Sequence, residues 1–265
     1  MFFPNVDPVA FSFGPLDVRW YSLSYIFGIL FSWFIMNNYL LKYKVTLNRL
    51  IINDLMNYLI IGIIAGGRLG YVLFYNVDFY LSNPLEILKI WNGGMSFHGG
   101  LIGIIISTVI FSKRKKVNFF DLTDLISLVA PIGIFFGRIA NFINGELYGR
   151  VTESYFGMIF PSGGPLPRHP SQLYEAVFEG FLLYLILNYV FFFTKLKFVV
   201  GGVTGLFLTL YGLFRFFIEF FREPDYQIGL LYKLMTMGQI LSLPMILLGI
   251  LLTVNGMLKN KKNGF

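Results

Sequence analysis

The sequence contains no cysteine, and this absence removes several kinds of chemistry at once. Without cysteine, the chain cannot form a disulfide, a thiolate nucleophile or a cysteine-ligated metal site. Histidine is nearly as scarce, since His98 and His169 are the two examples in 265 residues. Two histidines so far apart, with no H-E-x-x-H pattern, do not favour a metal site.

Charged residues are also few. They make up 13% of the chain, whereas soluble domains carry about 25%. Hydrophobic residues supply 56%, including 31 phenylalanines. A soluble protein of this length could not cover so much apolar surface, but a lipid bilayer solvates such a surface directly. The composition therefore predicts an integral membrane protein.

Long apolar stretches recur along the chain, each near the ~20 residues that cross a bilayer core. They predict an all-α integral membrane protein: a seven-transmembrane helix bundle with short helical or loop segments on its outer face. We expect a single transmembrane domain over residues 1–265. The third stretch is short and could be partly re-entrant. The predicted spans are 20–41, 55–75, 97–112, 122–141, 173–194, 200–220 and 237–257.

Basic residues fall mainly after alternate spans, most clearly in the run KRKK at 113–116. The positive-inside rule then places the N-terminus outside and the C-terminus in the cytoplasm. This run is interpreted as a topology anchor, with binding of anionic lipid headgroups as an alternative. The net charge of +7 therefore does not indicate a nucleic-acid partner. The opening residues, MFFPNVDPVAFSFG, lack the features of a removable signal peptide.

Glycines recur four residues apart at Gly62, Gly66 and Gly70, at 99 and 103, and at 133 and 137. Small residues at this spacing allow membrane helices to approach closely. The pattern predicts helix packing, since no phosphate-binding loop motif is present.

Three arginines lie inside apolar stretches: Arg68, Arg138 and Arg215. An arginine at the centre of a bilayer costs about 2.5–3.5 kcal/mol on insertion scales. Each therefore needs polar partners or a water-filled cavity. All three fall in the outer halves of their predicted spans, so they could line one pocket open to the outer leaflet.

The sixth span carries a polar stripe. Tyr211, Arg215, Glu219 and Arg222 fall at about 0°, 40°, 80° and 20° around a helix, which puts them on one face. A structural ladder of ion pairs is one interpretation. The other is an anion site, because two arginines for one glutamate leave positive charge over. Arginine suits phosphate because its planar group binds two oxygens at once.

Polar residues also crowd the end of the fourth span, in GRIANFINGELYGR at 137–150. Asn141 and Glu146 could bind glycerol-like hydroxyls or simply cap the helix. His98, in WNGGMSFHGG, could take a proton from a nucleophile or be an ordinary hydrogen-bonded residue of the interface. His169, next to Pro170, is interpreted as structural.

Taken together, these motifs resemble the bacterial prolipoprotein diacylglyceryl transferases. The resemblance extends over nearly the whole chain and is most specific in the block containing His98 and in the segment 137–150. Its motifs are WYSLSY, GGRLGYVLFYN, WNGGMSFHGGLIG, GRIANFINGELYGR, LPRHPSQLYE, YGLFRFFIEFFREPD and MGQILSLPMI.

The resemblance implies a transferase that moves the diacylglyceryl group of phosphatidylglycerol to the lipobox cysteine of a prolipoprotein signal peptide. A thioether forms and glycerol 1-phosphate leaves, as the first step of lipoprotein maturation. It further implies a multi-pass protein of the bacterial inner membrane, with its site toward the outer leaflet and no metal or organic cofactor. The acceptor thiol belongs to the substrate, in agreement with a chain that has no cysteine.

Carried over by motif, Arg138 resembles the residue that holds the lipid headgroup, with Asn141 and Glu146 around it. Arg215 resembles a second essential arginine. His98 resembles the base for the thiol, although the positive field of the arginines could also lower the pKa of that thiol.

The resemblance also adds supporting residues. Glu219 and Arg222 would support Arg215, and Tyr21 and Tyr211 match tyrosines near the family site. Arg68 matches a position whose role the resemblance does not define.

Two other classes of function remain open from the residues alone. A transporter or scramblase of an anionic lipid would also use buried arginines and tight glycine packing, but it should have a polar path through both leaflets. The inner halves of the spans are apolar, which favours the enzyme. A purely structural scaffold would not need three buried arginines.

Overall fold

The computed structural model describes residues 1–4, 6–14, 16–40, 47–224 and 234–262. The chain forms two compact units: Met1–Ile35 with Asp124–Phe265, and Met36–Thr123.

Helices make up most of the described chain, preceded by a short antiparallel hairpin of β1 and β2. The elements are β1 Val9–Phe13, β2 Leu16–Arg19, α1 Trp20–Ile35 with a π-helical end Met36–Leu40, α2 Arg49–Tyr75, α3 Val77–Ser82, 3-10 turns Pro84–Leu88 and Ile90–Asn92, α4 Phe97–Lys115, α5 Phe119–Ile143, α6 Ser171–Glu175, a π-helix Ala176–Leu182, α7 Leu183–Phe193, a 3-10 turn Lys195–Phe198, α8 Gly202–Ile218 and α9 Met237–Lys262.

A mostly helical membrane protein is confirmed, because five helical segments are long and apolar enough to cross a bilayer. Only 17–44% of each apolar window is buried within the protein, which leaves the rest of each helix surface for lipid. The remaining two predicted spans correspond to α4 and to α8, a shorter apolar helix. The crossing count of seven and the orientation of the termini stay predictions. The five segments are Trp20–Leu40, Arg49–Tyr75, Phe119–Ile143, Ser171–Phe193 and Met237–Lys261.

Several helices begin or end a few residues away from the ends of the predicted spans. Helix α2 begins at Arg49 instead of 55, because the Asn48 side chain caps it by accepting from the backbone N–H of Ile51. Helix α4 continues through the basic run to Lys115, where positive charge is favourable at a helix C-terminus. Helix α8 ends at Ile218. Residue 41, the predicted end of the first span, lies outside the described residues.

In the unit Met36–Thr123, α2 and α4 pack through their glycines, as the four-residue spacing predicted. A Cβ added at Gly103 would lie 1.9 Å from the carbonyl oxygen of Gly62, and one at Gly66 would lie 2.4 Å from that of Gly99. A Cβ at Gly70 would meet the Gly99 Cα at 2.7 Å. Backbones this close leave no room for side chains.

In the other unit, α8 and α9 meet at glycines that the sequence analysis did not select. A Cβ at Gly205 would lie 2.6 Å from the Gly249 carbonyl oxygen. Close packing was also predicted for positions 133 and 137. A Cβ at Gly28 would meet the Gly133 Cα at 3.1 Å, but one at Gly133 or at Gly137 would meet no described atom within 4 Å. The prediction therefore holds only for the contact of Gly133 with Gly28 and was wrong for Gly137.

The N-terminus of α8 is fixed by a buried acid from α5. Both carboxylate oxygens of Asp124 accept hydrogen bonds there, Oδ2 from the Gly201 N–H at 3.1 Å and Oδ1 from the Thr204 N–H and hydroxyl at 2.9 and 2.8 Å. A carboxylate at this position complements the positive end of the helix dipole. The contact sets the position of α8, which carries Arg215 at its other end.

Between α5 and α6 the chain forms an irregular platform held by backbone pairing. Gly149 pairs with Arg222, and Arg168 with Val151 and Met158. A Cβ at Gly149 would lie 2.3 Å from the Phe221 carbonyl oxygen, so only glycine fits there. This platform ties the chain after α8 to the segment after α5.

Candidate active site

Glu175, the last residue of α6, is the centre of a buried ion-pair cluster. Its Oε1 accepts from Nη1 of Arg222 at 2.8 Å and also contacts Nη1 of Arg215. Its Oε2 lies 3.2 Å from Nε of Arg138. One carboxylate therefore brings together three arginines from separate parts of the chain. We call these arginines, with Glu175, Glu179 and Glu219, the arginine–glutamate cluster.

Two further carboxylates complete the cluster. Glu179 lies between two arginines, 3.5 Å from Nη2 of Arg138 and 3.7 Å from Nη1 of Arg215. Glu219 contacts Nη2 of Arg215 at 2.9 Å and lies 3.9 Å from Nε of Arg222. Such mutual contacts are what intramembrane charges require.

Burial differs between the two signs of charge. The side chains of Glu175 and Glu179 are fully buried, whereas those of Arg138 and Arg215 remain 19% and 16% exposed. Part of Arg138 and part of Arg215 therefore remain accessible, whereas Glu175 and Glu179 do not.

The expectation that positive charge is left over was wrong. Arginines and glutamates are equal in number in these ion pairs, so the cluster is formally neutral. The error arose because Glu175 and Glu179, which belong to a different span, were not considered. All three arginines contact Glu175.

The predicted polar stripe is present, but not on one continuous helix. Arg215 belongs to α8, Glu219 caps it, and Arg222 follows after the helix has ended. The backbone of Arg222 pairs with Gly149 and accepts from Nε of Arg150 at 2.9 Å. The platform thus returns Arg222 toward Glu175, although regular helical geometry stops at Ile218.

Asn141 and Glu146 form a pair at the end of α5. The Asn141 side-chain amide donates to Oε1 of Glu146 at 2.7 Å, and Asn144 does so at 3.4 Å. The backbone carbonyl of Glu146 accepts from Gln172 at 2.6 Å. Asn141 lies one turn beyond Arg138 on α5, whereas Glu146 follows the end of that helix.

The two predicted tyrosines are placed differently. Tyr211 lies within electrostatic range of Glu179, Arg138 and Arg215, so it belongs beside the cluster. Tyr21 is exposed, and its hydroxyl lies 3.5 Å from that of Tyr25, which in turn interacts electrostatically with Arg138.

Arg68 is buried in the unit Met36–Thr123, and backbone carbonyls occupy its guanidinium. Nε donates to one carbonyl, Nη1 to two and Nη2 to two, while the guanidinium also lies 5.1 Å from the ring centroid of Tyr80. A guanidinium has five N–H donors, so none is left for a lipid phosphate. The five carbonyls are those of Ile87, Gly93, Gly94, Glu86 and Lys89.

The two histidines have different surroundings. His98 lies exposed in the first turn of α4, which is capped by the side chain of Ser96. His169, outside the spans, contacts the Tyr174 hydroxyl through Nδ1 at 3.2 Å and the Phe221 ring edge-on. Burial lowers the pKa of His169, which favours the neutral ring and agrees with a structural role. His98 and the cluster belong to different compact units.

Comparison with known proteins assigns the chain to a family. The sequence pattern described as "Prolipoprotein diacylglyceryl transferase" matches residues 8–255. The chain belongs to this family.

Curated relatives agree with that family assignment. A protein of Rickettsia bellii (strain OSU 85-389) is 58% identical over 254 residues, covering 96% of this chain and 97% of the relative. One of Rickettsia akari (strain Hartford) is 57% identical over 249 residues, covering 94% and 96%. Both are named phosphatidylglycerol--prolipoprotein diacylglyceryl transferase.

For this prolipoprotein diacylglyceryl transferase family member, sequence reasoning missed two residues that organise the site. Glu175 and Glu179 lie in the apolar segment QLYEAVFEGFLL. The rule that singled out the intramembrane arginines applies equally to them. Tyr25, one turn after Tyr21, could have been found from the same helix face.

Proposed function

We propose that this chain transfers the diacylglyceryl group of phosphatidylglycerol to the lipobox cysteine of a prolipoprotein. Family membership and the names of the relatives support this activity. The observation that carries the proposal is the shared contact of Arg138 and Arg215 with Glu175. It holds two guanidinium groups side by side, where both can reach one phosphate.

The reaction follows from that arrangement. The substrate thiol loses its proton, its sulfur bonds to the glycerol carbon, and the carbon–oxygen bond to phosphate breaks. Glycerol 1-phosphate leaves with the bonding electrons. Negative charge grows on the phosphate as the bond breaks, so fixed arginines in a low-dielectric site stabilise the transition state.

The supporting residues take the following roles in the proposal. Tyr211, Glu219 and Arg222 hold the two phosphate-binding arginines in place. Asn141 and Glu146 bind the hydroxyl groups of the headgroup.

Two further roles belong to the proposal. His98 accepts the thiol proton, and Tyr21 lines the entrance with Tyr25. Arg68 holds the connection 86–94 through carbonyls instead of binding substrate. No cofactor takes part in this scheme.

The site faces the outer leaflet of the bacterial inner membrane in this proposal. Residues 113–116 at the end of α4 are on the cytoplasmic side by the positive-inside rule. Alternating crossings then put the end of α5, the start of α6 and the end of α8 outside. These are the ends that carry Arg138, Glu175 and Arg215. Seven crossings, an outer N-terminus and one transmembrane domain over 1–265 belong to the same proposal.

An assay with purified protein tests the activity. A lipobox peptide is incubated with vesicles of phosphatidylglycerol or, as a matched control, phosphatidylethanolamine. We expect thioether-linked peptide and glycerol 1-phosphate only with phosphatidylglycerol. Movement of labelled phosphatidylglycerol between leaflets without peptide modification would instead support the transporter alternative and contradict the proposal.

A further inference from the structure

Glu179 is held differently from the other two carboxylates of the arginine–glutamate cluster. Both of its oxygens are buried and accept no hydrogen bond from any described residue, which is also true of Oε2 of Glu175 and Oε2 of Glu219. Its nearest arginine nitrogens are 3.5 and 3.7 Å away, whereas charge-assisted hydrogen bonds are usually 2.7–2.9 Å. Glu175 and Glu219 make contacts of 2.8 and 2.9 Å. Glu179 is therefore the most weakly held anion of the three.

The net charge of the arginine–glutamate cluster must change when an anionic lipid binds. The cluster is neutral without substrate, so a phosphodiester anion that binds the exposed edges of Arg138 and Arg215 would leave one uncompensated negative charge. Such a charge in a low-dielectric environment is strongly unfavourable. It is avoided most readily if one carboxylate takes up a proton.

We propose that Glu179 is the resident anion between Arg138 and Arg215 and becomes protonated when the phosphate of the lipid binds. The proposal deepens the proposed function and rests on it. One proton passes from solvent to an Oε atom of Glu179, so cluster and ligand together stay neutral. Glu179 acts here as a positioning residue, because it keeps the two arginines in place until the lipid replaces it.

The groups around Glu179 fit this role. Arg138 faces it from α5, and Arg215 and Tyr211 from α8. Glu175 on the preceding turn and Arg222 after α8 complete its charged surroundings. Glu175 is shared by three arginines, so its charge is better compensated than that of Glu179, and the proton goes to Glu179.

Calorimetry of lipid binding tests the proposal. The probe is a short-chain phosphatidylglycerol, whose phosphodiester keeps one negative charge near neutral pH. Titration in two buffers with different enthalpies of ionisation counts the protons taken up. We expect about one proton per lipid for the unaltered protein, with affinity falling up to about tenfold per pH unit as pH rises.

Glu179→Gln removes the charge with little change of shape. We expect it to abolish both the proton uptake and the pH dependence, and to bind the probe about tenfold more tightly, because no anion competes for the arginines. Glu153→Gln, a surface substitution of the same kind, should behave like the unaltered protein. Both variants are checked for folding by thermal unfolding.

Two results would overturn the proposal: no proton uptake by the unaltered protein, or uptake that persists in Glu179→Gln. Uptake that disappears in His98→Gln but not in Glu179→Gln would overturn it as well. If Glu179→Gln does not fold, the number of protons that the unaltered protein takes up per lipid still tests the proposal. Failure of the proposed function would be recognised separately, as absence of peptide modification with phosphatidylglycerol.

Discussion

Glu175 accepts a 2.8 Å hydrogen bond from Arg222, although 47 positions separate them along the chain. The contact joins the start of the apolar segment Ser171–Phe193 to the residues just after α8. Because Arg138 and Arg215 also contact Glu175, one carboxylate organises the charged part of the site.

Substituting either Arg138 or Arg215 by lysine should lower kcat/KM by about 10²–10³-fold. A lysine is a single point charge and cannot bridge two carboxylates while holding two phosphate oxygens. The measurement is transfer from phosphatidylglycerol to a lipobox peptide. Arg114→Lys, whose exposed guanidinium donates to the Tyr58 hydroxyl, is the matched control. Full activity in both site variants would contradict the mechanism.

Replacing Glu175 by glutamine should destabilise the fold by about 3–5 kcal/mol, because it leaves buried arginines without their shared anion. Thermal unfolding in detergent measures the effect. Glu223→Gln removes an exposed acid that lies 3.0 Å from the half-buried Arg168, and it should cost less than about 1 kcal/mol. Equal midpoints for the two variants would show that Glu175 does not hold the cluster together.

For Arg68 we predict a structural phenotype. Lysine at this position cannot reach the five carbonyls of the connection 86–94, so that connection should become more sensitive to limited proteolysis. The KM for phosphatidylglycerol should change less than in Arg138→Lys. Arg49→Lys, at the exposed start of α2, is the control. Unchanged proteolysis together with a large rise in KM would instead indicate direct lipid binding by Arg68.

The packing of α2 on α4 can be tested with two alanines on the same helix. Gly103→Ala places a methyl group 1.9 Å from the Gly62 carbonyl oxygen, while the nearest atom to a Cβ at Gly100 is 3.7 Å away. We expect Gly103→Ala to lower stability by at least about 1–3 kcal/mol. Gly100→Ala should be neutral or stabilising, by up to about 1 kcal/mol. Similar unfolding midpoints would rule out tight packing here.

His98→Gln tests the proton acceptor. Glutamine keeps hydrogen-bonding ability but cannot accept a proton, so kcat should fall about 10²–10⁴-fold if His98 is the general base. His169→Gln alters the other histidine and should retain most activity. An unaffected His98→Gln would remove the assignment of the base and leave thiol activation to the field of the arginines.

Sequence reasoning located the arginines and one partner, Glu219, but not the other two carboxylates. Arg138 and Arg215 stand out because a charge in an apolar segment is conspicuous whatever it contacts. Glu175 and Glu179 carry the same signal and could have been recognised. Their contacts could not, because they depend on how three helices pack.

Local sequence signals mark one helix end and the hairpin. Asn48 caps α2, and a cap of this kind is a local signal that sequence can reveal. The hairpin of β1 and β2 also had one, since Gly14 is followed by proline between two short apolar runs. No sequence signal marks the five carbonyls around Arg68, because every residue carries a backbone carbonyl.

Residues Ala176–Leu182 form a π-helix. The directions in which Glu175 and Glu179 face therefore depend on the number of residues in this segment. Deleting a single residue there would restore regular winding and rotate the preceding turn by about 100° relative to the following one. Glu175 and Glu179 would then no longer face the same arginines, although hydrophobicity and length would hardly change. A family member could therefore lose this site through one missing codon and still insert as an ordinary membrane protein.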